Sequence, residues 1–108
     1  MKMSARPEKH PDVMALVKAC VVAGNYLDTR HADARQSERS INRLEVIYVL
    51  KNGHHEKKKD EFKEEFNAWN YAIRGKTFDK RELRIAVSFD ETTRLLIITA
   101  IDLVKKGK

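Results

Sequence analysis

Three stretches in the second half of the chain set the fold class, because they alternate apolar and polar residues with a period of two, a pattern that suits a strand with one buried face. In WNYAIRGKT, Trp69, Tyr71 and Ile73 share one face, while Asn70, Ala72, Arg74 and Lys76 share the other. ELRIAVSF repeats the pattern with Leu83, Ile85, Val87 and Phe89. RLLIITAIDL is apolar on both faces, as a central strand is, and DETTR just before it reads as a hairpin turn. These segments predict an antiparallel meander. The stretch HHEKKKDEFKEEF, residues 54–66, is charge-dense and reads equally as an edge strand with its turn or as a frayed helix.

The first half carries the helical period. After a loose start over residues 1–10, Pro11 suits a first helical turn, and Val13, Leu16, Val17, Cys20 and Val21 follow the 3-4 rhythm to a glycine stop at Gly24. NYLDT reads as a short extended link. Thr29 can then cap a polar helix over about residues 30–39. Asn42 with Glu45 three residues on forms a capping box, bracketed by Ile41 and Val46, and the helix from about 43 to 51 closes at Gly53. The expected architecture is α+β, with two to three N-terminal helices packed on one face of a three- to four-stranded antiparallel sheet. A chain of 108 residues makes this one domain across 1–108.

Composition narrows the function classes. Twenty-two Lys and Arg against sixteen Asp and Glu give a net charge of +6, which favours anionic partners. The single cysteine, Cys20, supports neither a disulfide framework nor a zinc site, and fits a reducing, cytoplasmic setting. No apolar run approaches the ~20 residues a membrane span needs, and no secretory leader is visible, so a soluble protein with no membrane association is expected. HExxH, P-loop and dinucleotide-binding motifs are missing, and His54 and His55, adjacent on a strand, would point to opposite faces. No metal and no cofactor is expected.

The polar helix is the feature that such a small domain must justify. His31, Arg35 and Arg39 stand at i, i+4 and i+8, a stripe that drifts only about 80° around a helix. One reading makes the arginines structural, bonded to the sheet or to a carboxylate such as Glu38, Glu45 or Asp102. The other makes the stripe an anion site, with forked guanidinium donors matched to phosphate beside a histidine that can move a proton near neutral pH. A second basic region, residues 67–84, sets five basic against two acidic side chains, with Trp69 and Tyr71 among them, the mixture used by single-strand RNA binders. Alternation turns those two aromatics to the core and leaves Arg74 and Lys76 outward.

HADARQSERSINRLEVIYVLKNG resembles the signature of a small bacterial family of unassigned domains, in which HAxxRxxxR precedes an I…L.EV..VL..G helix and a meander ending in an apolar TxI strand. That family resembles the RelE and MqsR type of toxin-antitoxin ribonucleases in layout. DVMALVKACVVAGNYLDTR is similar to the start of MqsR-like toxins, and the likeness runs over residues 12–103. The resemblance implies a RelE-like fold, RNA and a cognate antitoxin protein as partners, and metal-independent endoribonuclease chemistry by 2′-hydroxyl attack. His31, Arg35 and Arg39 carry the family motif, and the basic and aromatic residues of the meander chemically suited to such a site are Tyr71, Arg74, Lys76 and Arg84. Thr99 stands on the last strand where some ribonucleases of this layout carry histidine or tyrosine. The alternative is a non-catalytic RNA-binding or protein-interaction module of the same fold.

Overall fold

Helix α1 (Val13–Ala23) starts at Asp12, whose carboxylate accepts the Ala15 N–H at 3.1 Å, so the helix begins just after Pro11. It buries Val13, Val17, Cys20 and Val21, the apolar stripe of the sequence. It ends at Gly24 in the left-handed region, φ 73°, where glycine has no Cβ to clash. This computed structural model describes residues 6–30 and 41–103.

Helix α2 (Arg43–Asn52) carries the complete capping box. Asn42 accepts the Glu45 N–H at 2.9 Å, and the Glu45 carboxylate accepts the Asn42 N–H at 3.1 Å. Val46, Val49 and Leu50 are fully buried. Gly53 does close α2, although by a different device from Gly24. Its φ is −89°, ordinary backbone that any residue adopts, and its reason is space: a Cβ there would sit 2.4 Å from the Arg74 carbonyl oxygen.

The meander forms as its alternation demands, from β4 (Ala68–Lys76), β5 (Glu82–Phe89) and β6 (Leu95–Asp102). Tyr71, Ile73, Leu83, Ile85, Val87, Leu95 and Ile97 join the α1 and α2 side chains in one core. A register shift between Ala86 and Val87 pairs them with Thr99 and Ile97, so Ile98 is the extra residue of a bulge.

The sheet is wider than the meander and is mixed. NYLDT, expected as a link, contains β1 (Tyr26–Asp28), which pairs parallel to β6 with Tyr26 opposite Leu95 and Asp28 opposite Ile97. β6 is therefore internal, which accounts for its apolar residues on both faces. On the far edge, β2 (His54–His55) and β3 (Glu61–Lys63) both pair antiparallel with β4. The order is β1-β6-β5-β4-β2, with β3 further along the same β4 edge. Residues 54–66 thus resolve into an interrupted edge strand with two short 3₁₀ turns, Lys57–Lys59 and Glu64–Phe66. The antiparallel expectation holds for every pair except β1 with β6.

Residues 6–10, read from sequence as part of a loose start, lie along the aromatic edge of the sheet. The Trp69 indole N–H donates to the Pro7 carbonyl at 2.8 Å, the Arg6 guanidinium stands 4.7 Å from the Phe62 ring centre, and Lys9 pairs with Asp60 at 2.9 Å. Two helices are present among the described residues; the expected polar helix over 30–39 falls almost wholly on residues 31–40, outside them.

Candidate functional site

The motif residues His31, Arg35 and Arg39 lie outside the described residues, but both flanks of their segment are described. Arg30 lies at the entrance. Its Nε and Nη2 donate to the two carboxylate oxygens of Asp28, each at 3.0 Å, and its Nη1 reaches across to the Ile41 carbonyl at 3.2 Å. One side chain therefore ties residue 30 to residue 41. Thr29 is fixed beside it by its hydroxyl donating to the Ile97 carbonyl at 2.7 Å.

The first turn of α2 continues this polar group. Arg43 approaches Asp28 at 3.6 Å with its side chain 59% exposed, so more than half of that side chain faces solvent. Glu45, besides closing the capping box, accepts from Arg81 at 3.2 Å, and Arg81 stands 3.8 Å from Asp102. Burial pushes the Asp28 carboxyl up. Hydrogen bonds from Arg30, with the charges of Arg30 and Arg43, outweigh it and hold Asp28 below the ordinary aspartate value. An ionised Asp28 keeps Arg30 oriented, and leaves Arg43 as the outward cation of the group.

The meander residues divide between two faces. Tyr71 points to the helix side and is 3% exposed. Its hydroxyl accepts the His10 backbone N–H at 3.1 Å, and its ring lies 5.6 Å from that of His55 and 5.9 Å from that of Phe89. Arg74 and Arg84 face the other way as a directly opposed pair. Like charges in that position repel. Glu56 bridges them, accepting from Arg84 at 2.8 Å and from Arg74 at 3.1 Å, and Glu82 takes a further Arg74 bond at 2.8 Å. Tyr71 therefore cannot share one site with Arg74 and Arg84, and both arginines spend donors on carboxylates. Lys76 is exposed and forms no ion pair among the described residues. Thr99 is exposed on the Arg84 side of the sheet, opposite Ala86.

Three features escaped the sequence reading. Arg30 and Arg43 flank the motif segment, but nothing in their spacing marks Asp28 as the shared partner. Glu56, one of the many charges of the 54–66 stretch, is the bridge between two strands. His55, dismissed as a metal ligand, has its Nε2 2.8 Å from the carboxylate of Asp60, which is 1% exposed and also accepts the Ala72 N–H. This buried histidine–aspartate pair holds the edge together. Cys20 is buried, its thiol donating to the Thr93 carbonyl at 3.3 Å, and burial pushes its pKa up, away from a reactive thiolate. Among the described residues no three or more of His, Cys, Asp and Glu gather as a metal site, and no helix is long and apolar enough to cross a membrane.

The Glu56 bridge gives a pH test. Hydrogen bonds from Arg84 and then Arg74, against some desolvation, hold its carboxyl below the ordinary glutamate value. Its contribution to stability is present above the unfolded value near 4.5 and is lost as pH falls through the lower folded value. Glu56→Gln is expected to melt lower than the parent at pH 7, with the gap narrowing below about pH 4.5. Thermal melts from pH 7 to pH 3 check this; a gap that widens in acid contradicts it.

The family described as a domain of unknown function, DUF4258, matches residues 29–102, from the end of β1 through the motif segment and α2 to the last residue of β6. Neither the curated proteins nor the solved structures contain a match.

Proposed function

The chain belongs to the DUF4258 family, and we propose that it acts as a metal-independent endoribonuclease of the toxin type, cytoplasmic and held in check by a cognate antitoxin protein. The observation that carries the reading is the Arg30 tie. It joins residue 30 to residue 41, the described flanks of the HxxxRxxxR segment, and the half-exposed Arg43 side chain stands beside the same Asp28 carboxylate. Arginine's forked donors match phosphate, which is what this reading asks of the stretch.

In the proposed reaction His31 takes the proton from an RNA 2′-hydroxyl while water protonates the leaving 5′-oxygen, or His31 protonates the 5′-oxygen while water takes the 2′ proton. The 2′-oxygen bonds to phosphorus, the P–O5′ bond breaks, and the products are a 2′,3′-cyclic phosphate and a 5′-hydroxyl. Arg35, Arg39 and Arg43 hold the phosphate and its developing charge. Cleavage of a short single-stranded RNA is expected to persist in excess chelator and to leave cyclic phosphate ends. Activity lost to chelator and restored by a divalent ion would overturn the mechanism.

A second reading, a non-catalytic RNA-binding or protein-interaction module, is favoured by the separation of Tyr71 from Arg74 and Arg84, which puts the tyrosine on the opposite face of the sheet from those cations. Binding without cleavage selects it. Affinity against salt then reports which cations meet the backbone, at a log-log slope of roughly −0.7 per neutralised phosphate. Lys76→Ala is expected to flatten that slope by about 0.7 if Lys76 meets a phosphate. Arg74→Ala is expected to change it less, since Glu56 and Glu82 already hold that guanidinium. Fluorescence anisotropy at several salt concentrations checks both, and a flat response in the parent would remove RNA as the partner.

A further inference from the structure

The sheet face turned away from α1 and α2 holds a cavity of about 590 Å³. Ala68, Asn70, Ser88, Leu96 and Ile98 contribute to its lining from β4, β5 and β6. Small residues on β4 and β5 beside Leu96 and Ile98 on β6 leave a shelf, and the bulge that adds Ile98 turns an extra apolar side chain into it. Phe66, 74% exposed, stands at one side. An exposed aromatic beside a mostly apolar groove is the composition of a docking surface.

The rim gives the sign of the occupant. Lys63, Glu65, Asp90 and Glu91 reach the cavity. Lys63 is turned to Glu61 at 3.1 Å, and Arg94 approaches Asp90 at 3.4 Å. Glu65 and Glu91 form no ion pair among the described residues. On a chain of net charge +6, this is a place where carboxylates outnumber cations around an apolar floor. Asp90 stays ionised through the physiological range, because Thr92 and Arg94 hydrogen bonds hold its carboxyl at about 2.

We infer that this groove docks a cationic amphipathic segment of a partner protein, apolar residues on Leu96, Ile98 and Phe66 and lysine or arginine at Glu65 and Glu91. The rim disfavours RNA and anionic lipid, which carry the same sign as the carboxylates. An amphipathic helix laid in a groove supplies both parts, its apolar stripe for the floor and its basic flank for the rim. The inference is independent of RNA cleavage, and its test uses no RNA.

A synthetic 14-residue lysine–leucine amphipathic peptide serves as the probe, with its glutamate–leucine counterpart as the charge control. Titrated into ¹⁵N-labelled protein, the lysine peptide is expected to shift the amide signals of Asn70, Ser88, Leu96 and Ile98, and to bind at least about tenfold tighter than the control. The double variant Glu65→Lys/Glu91→Lys changes only surface positions and is expected to fold as the parent does. It is expected to lose that preference or reverse it. Equal binding of the two peptides, no binding of the lysine peptide, or shifts confined to other faces would each overturn the assignment.

Discussion

Replacing Gly53 with alanine is expected to lower stability by about 3 kcal/mol, toward the upper part of what overpacking costs, and the melting temperature by roughly 10–20 °C. The reason lies in how α2 meets β4. A Cβ on residue 53 would come within 2.4 Å of the Arg74 carbonyl oxygen and 2.8 Å of the Val49 carbonyl oxygen. Both neighbours are backbone, one in the sheet and the other accepting the Gly53 N–H that closes the helix. Neither can swing aside as a side chain would, so α2 must lift from the sheet, and Val49 and Leu50, both fully buried, lift with it. Gly75 lies on the other side of the same contact, where a Cβ would meet the Gly53 Cα at 2.9 Å and the end of the Val49 side chain at 3.3 Å. Gly24 has open space around it and only its left-handed φ to lose, about 1–2 kcal/mol. Thermal melts of the three alanine variants should rank Gly53 as the most damaging. A Gly53→Ala protein that melts within a few degrees of the parent would mean that the helix end and β4 part at little cost.

That contact shows where the sequence was readable and where it was not. Gly53 was legible as the end of a helix, since a periodic run stopped there, but the neighbour that requires glycine is Arg74, 21 positions along the chain. Local patterns carried far. The alternation in β4 and β5, the double-sided apolarity of β6, the stripe of α1 and the Asn42–Glu45 box each follow from neighbours within one element, and each is present. β1 escaped because three residues are too few to show a period, and its partner is β6, about seventy residues away. The edge over residues 54–66 escaped because two- and three-residue strands broken by a turn give no alternation to read.

The candidate site divided along the same line. Alternation correctly sent Tyr71 toward the core and Arg74 outward, yet chemical suitability alone grouped them as parts of one site. The Glu56 link to Arg74 and Arg84 depends on strand register, which the sequence did not specify. The stripe of His31, Arg35 and Arg39 is visible as a spacing, whereas the Arg30 tie between residues 30 and 41 on either side of it depends on a carboxylate, Asp28, placed by the unforeseen strand β1.

The second large effect concerns catalysis and turns on that division. If His31 moves the proton of the 2′-hydroxyl, His31→Ala is expected to slow cleavage by roughly 10²–10⁴-fold, the usual loss when a positioned acid–base group is removed. Tyr71→Phe is expected to cleave RNA as the parent does. The Tyr71 hydroxyl lies on the helix side of the sheet, where it accepts the His10 N–H, so its loss leaves one part-buried donor unpaired and costs about 1 kcal/mol of stability. Arg43→Ala separates binding from proton transfer, since Arg43 borders the segment through Asp28 and presents most of its side chain to solvent. Its expected effect is weaker binding of RNA, with the pH profile of cleavage unchanged. Single-turnover cleavage of a labelled RNA across pH 5–9, beside a thermal melt of each variant, distinguishes these outcomes. His31→Ala at full activity would remove the proposed acid–base group. A correctly folded Tyr71→Phe protein without activity would move the chemistry to the aromatic edge, where the His10 and His55 rings stand beside Tyr71 and Asp60 pairs with His55, and the Arg30 tie would then be a device of the fold.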